Sequence, residues 1–246
     1  MKGNLARGLR YLTTGFQLIT HPQLRMFVLI PLLINTLVFI VLIGATVGKF
    51  FTWIEGIMAW LPDFMSFLRW IIWPMVITLL LTAVMYTFSI IANLIAAPFN
   101  GLLAEKTEEL LTGNEVSGYE TIGQALLSFP KSIAREVSKI LYYLPLAIGV
   151  LILSFIPLIN SAAPVFWFLL GAWMMAIQYC DYPMDNHQRS FSDMKEAVKN
   201  QRLTSCGFGA CAMVGTMIPI VNLVIMPAAV CGATAYWVEE LKHQNA

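Results

Sequence analysis

The sequence predicts an all-α integral membrane protein with two long transmembrane helices, two interrupted and partly inserted helical hairpins, and amphipathic surface helices. Of its 246 residues, 58% are hydrophobic and only 12% are charged, and the mean hydropathy is +0.72. Soluble domains carry roughly a quarter of their residues as charges. The charges are clustered, which leaves four uncharged stretches, each longer than the roughly 18 residues that cross a bilayer: Met26–Gly48, Trp70–Ala104, Leu141–Cys180 and Leu203–Val238.

The distribution of basic residues predicts how these stretches are oriented. The segment before Met26 holds four Lys or Arg residues, as do Glu105–Lys139 and Asp181–Arg202, whereas Lys49–Arg69 holds two. By the positive-inside rule the richer segments face the cytoplasm and the poorer one faces out. The first two stretches are then ordinary spans. The two later stretches must each start and end at the cytoplasm, as hairpins do.

A single membrane domain follows from this arrangement. Its predicted order is an amphipathic N-terminal helix and helix start (1–25), a transmembrane helix (26–48), an outer loop (49–69), a second transmembrane helix with a break near Pro98 (70–104), a cytoplasmic helical segment (105–140), the first hairpin (141–180), a cytoplasmic segment (181–202), the second hairpin (203–238) and a tail (239–246).

The same pattern interrupts both hairpins, FIPLIN at Phe155–Asn160 and MIPIVN at Met217–Asn222. A proline removes a backbone donor and clashes with the preceding turn, so Pro157 and Pro219 are predicted to end a helix. Asn160 and Asn222 are predicted to cap the helix that follows. Two further prolines, Pro164 and Pro227, are predicted to add a second break.

The apolar arms of the second hairpin are short. Leu203–Ile218 and Leu223–Val238 would each rise about 24 Å at about 1.5 Å per residue, less than a hydrocarbon core of about 30 Å. Partial insertion is therefore predicted. Non-helical backbone at membrane depth needs protein or water beside it, and matched interrupted segments are typical of a transport path. Plain loops between four short spans are the alternative.

The first 25 residues contain no continuous apolar core, so no cleavable signal peptide is predicted there. Apolar residues instead recur at helical spacing and predict an amphipathic helix at the membrane surface: Leu5, Leu9, Leu12, Phe16 and Ile19. Arg7 and Arg10 on its other side would bind anionic lipid, or alternatively a substrate. Ser190–Arg202 is predicted to form another polar surface helix.

The stretch HPQLRMFVLIP places Gln23, Leu24 and Arg25 in the first turn of a helix. The start of a helix has unpaired N–H groups and a partial positive charge, which suit an anion. Arg25 adds a full charge and a planar fork of donors for an oxyanion. The alternative is that Arg25 only anchors the helix at the membrane surface.

The stretch ANLIAAPFNGLLAEK carries Asn93, Asn100 and Glu105 around the predicted break at Pro98. Polar groups in lipid are costly unless they are satisfied, so these side chains are candidates to line a wet route, as are Asn160 and Asn222 in the hairpin interruptions. A structural turn capped by Asn100 is equally consistent with the sequence.

Asp181 and Asp185 lie four residues apart in QYCDYPMDNHQ, a spacing that magnesium-dependent lipid enzymes use on one helix face. Pro183 disfavours a helix at Tyr182, and no second acidic motif accompanies the pair. Helix termination is the favoured interpretation, with the carboxylates paired to Arg135 or Arg189. The four cysteines and three histidines show no ligand-like spacing, so neither a metal site nor another cofactor is predicted.

Several long segments resemble segments of one protein family and occur in the same order as in that family. They are IAAPFNGLLAEK, YLPLAIGVLILSFIPLIN, WMMAIQYCDYPMDNH, IPIVNLVIMPAAVCGATAYW and HPQLR followed by FVLIPLLIN. They are similar to the CysZ family of bacterial sulfate permeases. The resemblance implies a homo-oligomeric inner-membrane protein that admits sulfate for cysteine biosynthesis. The Gly-Leu-Arg pattern at that family's sulfate site corresponds to Gln23, Leu24 and Arg25, so glycine is replaced here and its conformational freedom is lost.

If sulfate is the substrate, its hydration must be replaced by donors, because a continuous apolar bore excludes a dianion. No GxxxxGK[ST] motif occurs, so the chain is not expected to hydrolyse ATP. A passive or proton-assisted conduit is predicted, and the titratable candidates for proton coupling are Glu105, Asp181, Asp185 and His187. The rival hypotheses are a magnesium-dependent enzyme acting on lipid phosphates through Asp181 and Asp185, and a membrane scaffold. No nucleic-acid partner is expected.

Overall fold

The computed structural model describes residues 3–59, 69–116 and 129–242, and these ranges are helical with short connections. The helices are α1 (Leu5–Leu18), α2 (Arg25–Ala59), α3 (Arg69–Thr112), α4 (Phe129–Ser154), α5 (Ala163–Asn186), α6 (Phe191–Asn200), α7 (Arg202–Thr216) and α8 (Pro219–Tyr236). A 3-10 turn at Asn160–Ala162 precedes α5, and a π-helical turn at Trp237–Leu241 follows α8. No strand occurs in the described ranges, in agreement with the predicted all-α class.

Four stretches within the described ranges are long and apolar enough to cross a membrane. They are Arg25–Thr46, Trp70–Phe88, Ile133–Ser154 and Asn160–Asn186. The prediction of a multi-pass, all-α membrane protein is therefore confirmed. The second hairpin is different, because α7 has 15 residues and α8 has 18, and neither is among these stretches.

Residues Ile30–Ala96 form one compact unit, in which α2 and α3 run antiparallel. The rings of Phe39 and Phe88 meet edge to face at 5.0 Å, and those of Phe50 and Trp73 at 5.9 Å. Helix α2 continues past the predicted end of its span at Gly48 to Ala59. Large apolar side chains along both helices are exposed, as suits helices that face lipid.

Residues Met1–Leu29 and Ala97–Ala246 form the other unit. Its two hairpins are antiparallel pairs, α4 with α5 and α7 with α8, and α5 also packs along α7. The core of this unit is closely packed around α7 and α8, with α1 against both. Helix α6 begins with a capping box in which Ser190 and Asp193 satisfy each other's backbone N–H groups, as the predicted polar helix requires.

Helix α1 exists where the apolar spacing predicts it, but its buried face is not the leucine stripe. The buried residues are Gly8, Tyr11, Leu12 and Gly15, whereas Leu5 and Leu9 stay about half exposed. Small residues allow the helices to touch backbone to backbone. A Cβ on Gly8 would overlap the backbone of α7 at Thr204, and one on Gly15 would overlap the carbonyl oxygen of Ala228 in α8.

Four of the predicted helix breaks are wrong. Helix α3 is continuous through Pro98, α5 through Pro183 and Tyr182, and α8 through Pro227. An internal proline forfeits one backbone hydrogen bond, and membrane helices tolerate that loss when neighbouring groups compensate for it. Pro164 adds no break either, because it lies in the first turn of α5, where its missing N–H has no intrahelical partner to lose.

The hairpin tips lie at the two interruptions, but the asparagines do not cap the next helices. Helix α5 begins after Ala162, which makes no side-chain cap bond, and Asn160 lies in the preceding 3-10 turn. Helix α8 begins at Pro219, so Asn222 lies inside its first turn. Proline at the first helical position already fits the start of α8, and this shifts the helix start ahead of the asparagine.

The backbone contact at Gly15 gives a stability prediction. Gly15→Ala should destabilise the protein by about 1–3 kcal/mol, because the added methyl group meets the backbone of α8, which cannot move aside as a side chain can. Thermal unfolding of the detergent-solubilised protein measures the effect. Gly149→Ala in α4 is the control, since nothing lies within 4 Å of its Cβ position, and this change should be neutral or stabilising. Equal unfolding temperatures for both variants would contradict the close helix contact.

Candidate functional site

The connection between α1 and α2 is a tight turn built on His21. The His21 carbonyl oxygen accepts hydrogen bonds from the N–H of Leu24 at 3.0 Å and of Arg25 at 3.1 Å. The side chain of Leu24 is fully buried in the core cluster and anchors the turn from beneath. As a result, Gln23 and Arg25 on either side of Leu24 remain exposed.

Arg25 is the first residue of α2, so Gln23 and Leu24, which the sequence placed in the first turn of that helix, lie in the turn that precedes it. Within the described ranges, its guanidinium forms no ion pair, hydrogen bond or cation-π contact. The last two turns of α1 contain no acidic residue that would compete for it. An uncompensated guanidinium at the start of a helix is an arrangement that attracts an oxyanion.

The three successive amides of this turn already have internal acceptors. Besides the two bonds to the His21 carbonyl, the Gln23 N–H donates to Nδ1 of the His21 ring at 3.4 Å. The sequence suggested that the amides of Gln23 and Leu24 are open to an anion. In this conformation the open donor groups are the exposed side chains of Gln23 and Arg25, and the backbone amides become available only if the turn rearranges.

The polar residues at the end of α3 differ in their surroundings. Asn100 is buried, and its Nδ2 donates to the hydroxyl of Tyr182 at 3.2 Å. Glu105 is 2% exposed and lies 3.5 Å from Nζ of Lys106. Asn93 belongs to the helical part of α3 in the other unit, and its side chain lies outside the described positions. Asn160 and Asn222 are exposed near the hairpin tips.

A charged cluster joins α4 to α5 at the base of the first hairpin. Arg135 binds Asp181 at 2.7 Å and Asp185 at 2.9 Å, and Lys139 binds the other oxygen of Asp181 at 2.9 Å. The predicted pairing with Arg135 is thereby confirmed, while Arg189 contributes its carbonyl oxygen to the same guanidinium. These contacts engage both oxygens of Asp181 and one oxygen of Asp185 with cations, so the arrangement favours a structural role for both aspartates.

A second buried charge, Glu108 of α3, was not singled out from the sequence. Its carboxylate is 1% exposed and bridges His187 Nε2 at 2.8 Å and Lys242 Nζ at 2.9 Å. The ring of His187 also packs on Trp237. No local signal identifies this trio, because its members lie at least 55 positions apart in the chain. The trio holds the end of α3 against α5 and the C-terminal turn.

The basic residues of α1 also have protein partners. Arg7 pairs with Glu240 at 3.2 Å and Arg10 with Glu239 at 2.8 Å. The hydroxyl of Tyr11 lies within hydrogen-bond distance of both glutamates. These pairs connect the C-terminal turn to α1, and the role of both arginines in binding anionic lipid or substrate stays a prediction. Both arginines remain more than half exposed, so each pair is weakly stabilising.

Comparison with known proteins covers nearly the whole chain. The family model described as Sulfate transporter CysZ/Etoposide-induced protein 2.4 matches residues 11–227. The chain belongs to this family. A sulfate transporter CysZ of Vibrio parahaemolyticus is 47% identical over 245 residues, covering 97% of this chain and 96% of the relative. Proteins of the same name from Pseudomonas aeruginosa PAO1 (45% identical, 95% of each chain) and Pectobacterium atrosepticum (46%, covering 97% and 87%) are similar.

Membership in the CysZ family confirms the resemblance found in the sequence phrases. The names of these relatives describe transport, and none describes an enzymatic reaction. Together with the occupied carboxylates of Asp181 and Asp185, this leaves the magnesium-dependent enzyme without support.

The Glu108 trio predicts a pH dependence of stability. Burial acts to raise the pKa of Glu108, but hydrogen bonds from His187 and Lys242 outweigh it and leave the pKa below its ordinary 4.5. A carboxyl group with a lowered folded-state pKa contributes stability above its ordinary pKa and loses it as the pH falls through the lower value. Glu108→Gln should therefore cost about 1–3 kcal/mol near neutral pH, and the difference from the parent protein should shrink in acid.

Unfolding of both proteins at several pH values down to about 3 tests this expectation. Glu196→Gln, at an exposed position of α6, is the control and should change stability little at any pH. A difference between Glu108→Gln and the parent protein that stays constant into acid would show that the charge of Glu108 is not the source of the stabilisation.

Proposed function

We propose that this protein is a sulfate transporter of the bacterial inner membrane, in which Gln23, Leu24 and Arg25 bind the ion. The observation that carries the proposal is the exposed guanidinium of Arg25 at the first residue of α2, which has no partner within the described ranges. The relatives named sulfate transporter CysZ, which match nearly the full length, support sulfate as the substrate.

The chemistry of the turn suits a doubly charged oxyanion. A guanidinium offers two parallel N–H donors to two sulfate oxygens and stays charged at any physiological pH. The start of α2 adds the partial positive charge of the helix dipole. Leu24, anchored in the core, keeps the turn in place while Gln23 and Arg25 stay accessible. Binding therefore requires rearrangement of the turn amides but not of the helices.

The route beyond this site would use the polar groups at the end of α3, namely Asn100 and Glu105, together with Asn93, Asn160 and Asn222. Asn100 and Glu105 are buried polar side chains on α3, which contains a candidate membrane span, and such groups usually mark a wet path or a functional contact. Flux is passive or proton-assisted, with Glu105 as the proton-coupling candidate, and requires no ATP. The imported sulfate supplies cysteine biosynthesis, and the transporter works as a homo-oligomer.

Both hairpins turn back inside the membrane in this proposal. Helices α7 and α8 would rise about 22 and 27 Å, less than the roughly 30 Å of the hydrocarbon core. In the first hairpin the charged cluster of Arg135, Lys139 and Asp181 lies at the base, so only the residues beyond it count toward the apolar length. The apolar remainder of α4, residues 140–154, rises about 22 Å as well. Interrupted helices that end within the bilayer would shelter the polar route.

Arg25→Ala should weaken sulfate binding about 10- to 150-fold, because a charge-assisted hydrogen bond contributes about 1.5–3 kcal/mol. Arg25→Lys keeps the charge but not the planar fork of donors, so its sulfate affinity should lie between those of Arg25→Ala and the parent protein. Binding of labelled sulfate to the purified protein measures affinity, and flux into liposomes, with chloride and phosphate as competitors, measures transport. Lys199→Ala, another exposed cation, is the control. Unchanged sulfate affinity in Arg25→Ala would remove Arg25 from the site.

Partial insertion predicts low accessibility at the hairpin tips. In a background without the four native cysteines, Ser161→Cys and Met217→Cys should react slowly with a membrane-impermeant thiol reagent added from outside. Thr52→Cys, on the part of α2 beyond its candidate span, should react fast and serves as the reference. Equal rates at all three positions would mean that the hairpins cross the membrane completely.

A further inference from the structure

Helices α2 and α3 leave a groove between them that encloses about 220 Å³. Toward one end of it the rings of Phe50 and Trp73 meet at 5.9 Å. Beyond the other end the rings of Phe39 and Phe88 meet at 5.0 Å. The groove is thus a gap between two aromatic contacts, which neither helix fills with its own side chains. The residues that line it include Ile43, Thr46 and Phe50 of α2 and Ile77, Leu80 and Val84 of α3.

The lining of this groove offers no polar partner to a ligand. Among the lining side chains Thr46 alone carries a polar group, and its hydroxyl already donates to the carbonyl oxygen of Leu42 at 2.7 Å. A water molecule needs two to four polar partners, so water does not fill a gap of this kind. Unfilled space of this size would forfeit packing contacts on both helices. The chemistry of the groove therefore calls for an apolar occupant.

The shape of the groove suits one extended hydrocarbon chain. Helix α2 rises about 10 Å from Ile43 to Phe50, and α3 rises by the same amount from Ile77 to Val84. The groove runs along both helices, in the direction that acyl chains take in a bilayer. A 10 Å length of another helix, about 10 Å across, would occupy on the order of 800 Å³, which exceeds the space. A single acyl chain is narrow enough to enter.

The end of the groove at Phe50 lies at the level expected for lipid headgroups. The candidate span of α2 ends at Thr46, and that of α3 begins at Trp70. Just beyond the span of α2, Lys49 is exposed and Trp53 is 53% exposed. Tryptophan and lysine are typical of the membrane–water interface. Within the described ranges the ammonium of Lys49 has no ion pair or hydrogen bond, so it is available to a headgroup.

We propose that the groove binds one acyl chain of an anionic phospholipid, whose headgroup phosphate pairs with Lys49. The gap between α2 and α3 fixes where the chain lies, and the ammonium fixes which headgroup is preferred. The count of basic residues predicts that this end of α2 faces out, so the lipid belongs to the outer leaflet. The inference does not depend on where sulfate binds.

The charge of Lys49 is what makes such a site selective. The tails of neighbouring lipids are as apolar as the groove, so hydrophobicity alone does not favour one lipid over another. A basic residue near the membrane surface attracts anionic lipid. A side chain from a second copy of the protein would fill the groove without using the ammonium, and the test includes this outcome.

The test is native mass spectrometry of the purified full-length protein in detergent, titrated with phosphatidylglycerol or with phosphatidylcholine of the same acyl chains. One tightly held lipid per chain is expected, with phosphatidylglycerol preferred. Phosphatidylglycerol with a single acyl chain should bind as well, because the groove accepts one chain. Glycerol phosphate, which has the charge but no chain, should not compete.

Two substitutions separate the headgroup from the chain. Lys49→Gln should reduce the preference for phosphatidylglycerol over phosphatidylcholine about fivefold, the effect of one basic residue near a membrane surface, and leave the binding of phosphatidylcholine unchanged. Leu80→Trp should fill the groove and abolish tight binding of both lipids. Lys199→Gln, another exposed cation, and Leu79→Trp, a 69% exposed position of α3 outside the lining, are the matched controls and should bind lipid as the parent protein does.

Each contrary result overturns the inference. Equal retention of the two lipids by the parent protein, or a preference that survives Lys49→Gln, would show that Lys49 does not hold the headgroup. Tight lipid binding that survives Leu80→Trp would place the lipid elsewhere. A lower subunit number in Leu80→Trp with unchanged lipid binding would mean that a second copy covers the groove. Should Leu80→Trp fold poorly, the smaller change Val84→Phe decides in its place. None of these outcomes involves Arg25, so the proposed function stands or fails separately.

Discussion

The backbone contact of α1 with α7 and α8 is the constraint on which the candidate site depends. At Gly8 and Gly15 no side chain separates the helices, and Gly207 and Gly232 face α1 from the other side. Without a hydrophobic driving force between helices in lipid, close packing of this kind is a main source of association. Because α1 leads within a few residues to His21 and Leu24, its docking determines where α2 begins. The position of Arg25 is thus set by glycines that never touch an ion.

The charged residues discussed above fall into two classes, those that are buried and paired and those that are exposed without a partner in the described ranges. Arg135, Lys139 and Glu108 are largely buried, and each is held by groups of opposite charge. Removing one partner of such a pair leaves the other uncompensated, so these residues stabilise helix packing and are poor candidates for capturing a free ion. Arg25 is the opposite case, exposed and without a protein partner within the described ranges. The lack of a protein partner within the described ranges, more than the presence of an arginine, distinguishes Arg25 as a candidate to bind an ion.

Composition and charge clustering were sufficient to predict the all-α membrane class, and the long phrases were sufficient to identify the family. The hairpin tips also followed from local signals, whereas the predicted first turn of α2 was too early, because Gln23 and Leu24 lie in the turn before Arg25. Local signals failed where a helix continues through an internal proline, as at Pro98 and Pro227, or where glycine packing overrides an apolar stripe, as along α1.

Contacts between distant parts of the chain were out of reach of sequence reasoning. Glu108 with Lys242, and Arg7 with Glu240, join residues more than a hundred positions apart. The sign of a side chain's charge limits which residues it can pair with, but it does not identify the partner that the fold brings to it. The bond between the Gln23 amide and the ring of His21 is local, yet it depends on a turn geometry that the pattern HPQLR alone does not determine.

An electrical argument shows why a proton matters to such a site. Moving one negative charge inward against an inside-negative potential costs about 2.3 kcal/mol per 100 mV, so a dianion costs about 4.6 kcal/mol. Passive entry would then require sulfate inside to stay on the order of 10³-fold below its concentration outside. If one proton travels with the ion, one net charge moves and the required ratio falls to about 50-fold. Affinity alone cannot change either ratio, because a binding site lowers the energy of the ion equally for entry and exit. The advantage of proton coupling is therefore that the ion crosses with one negative charge fewer.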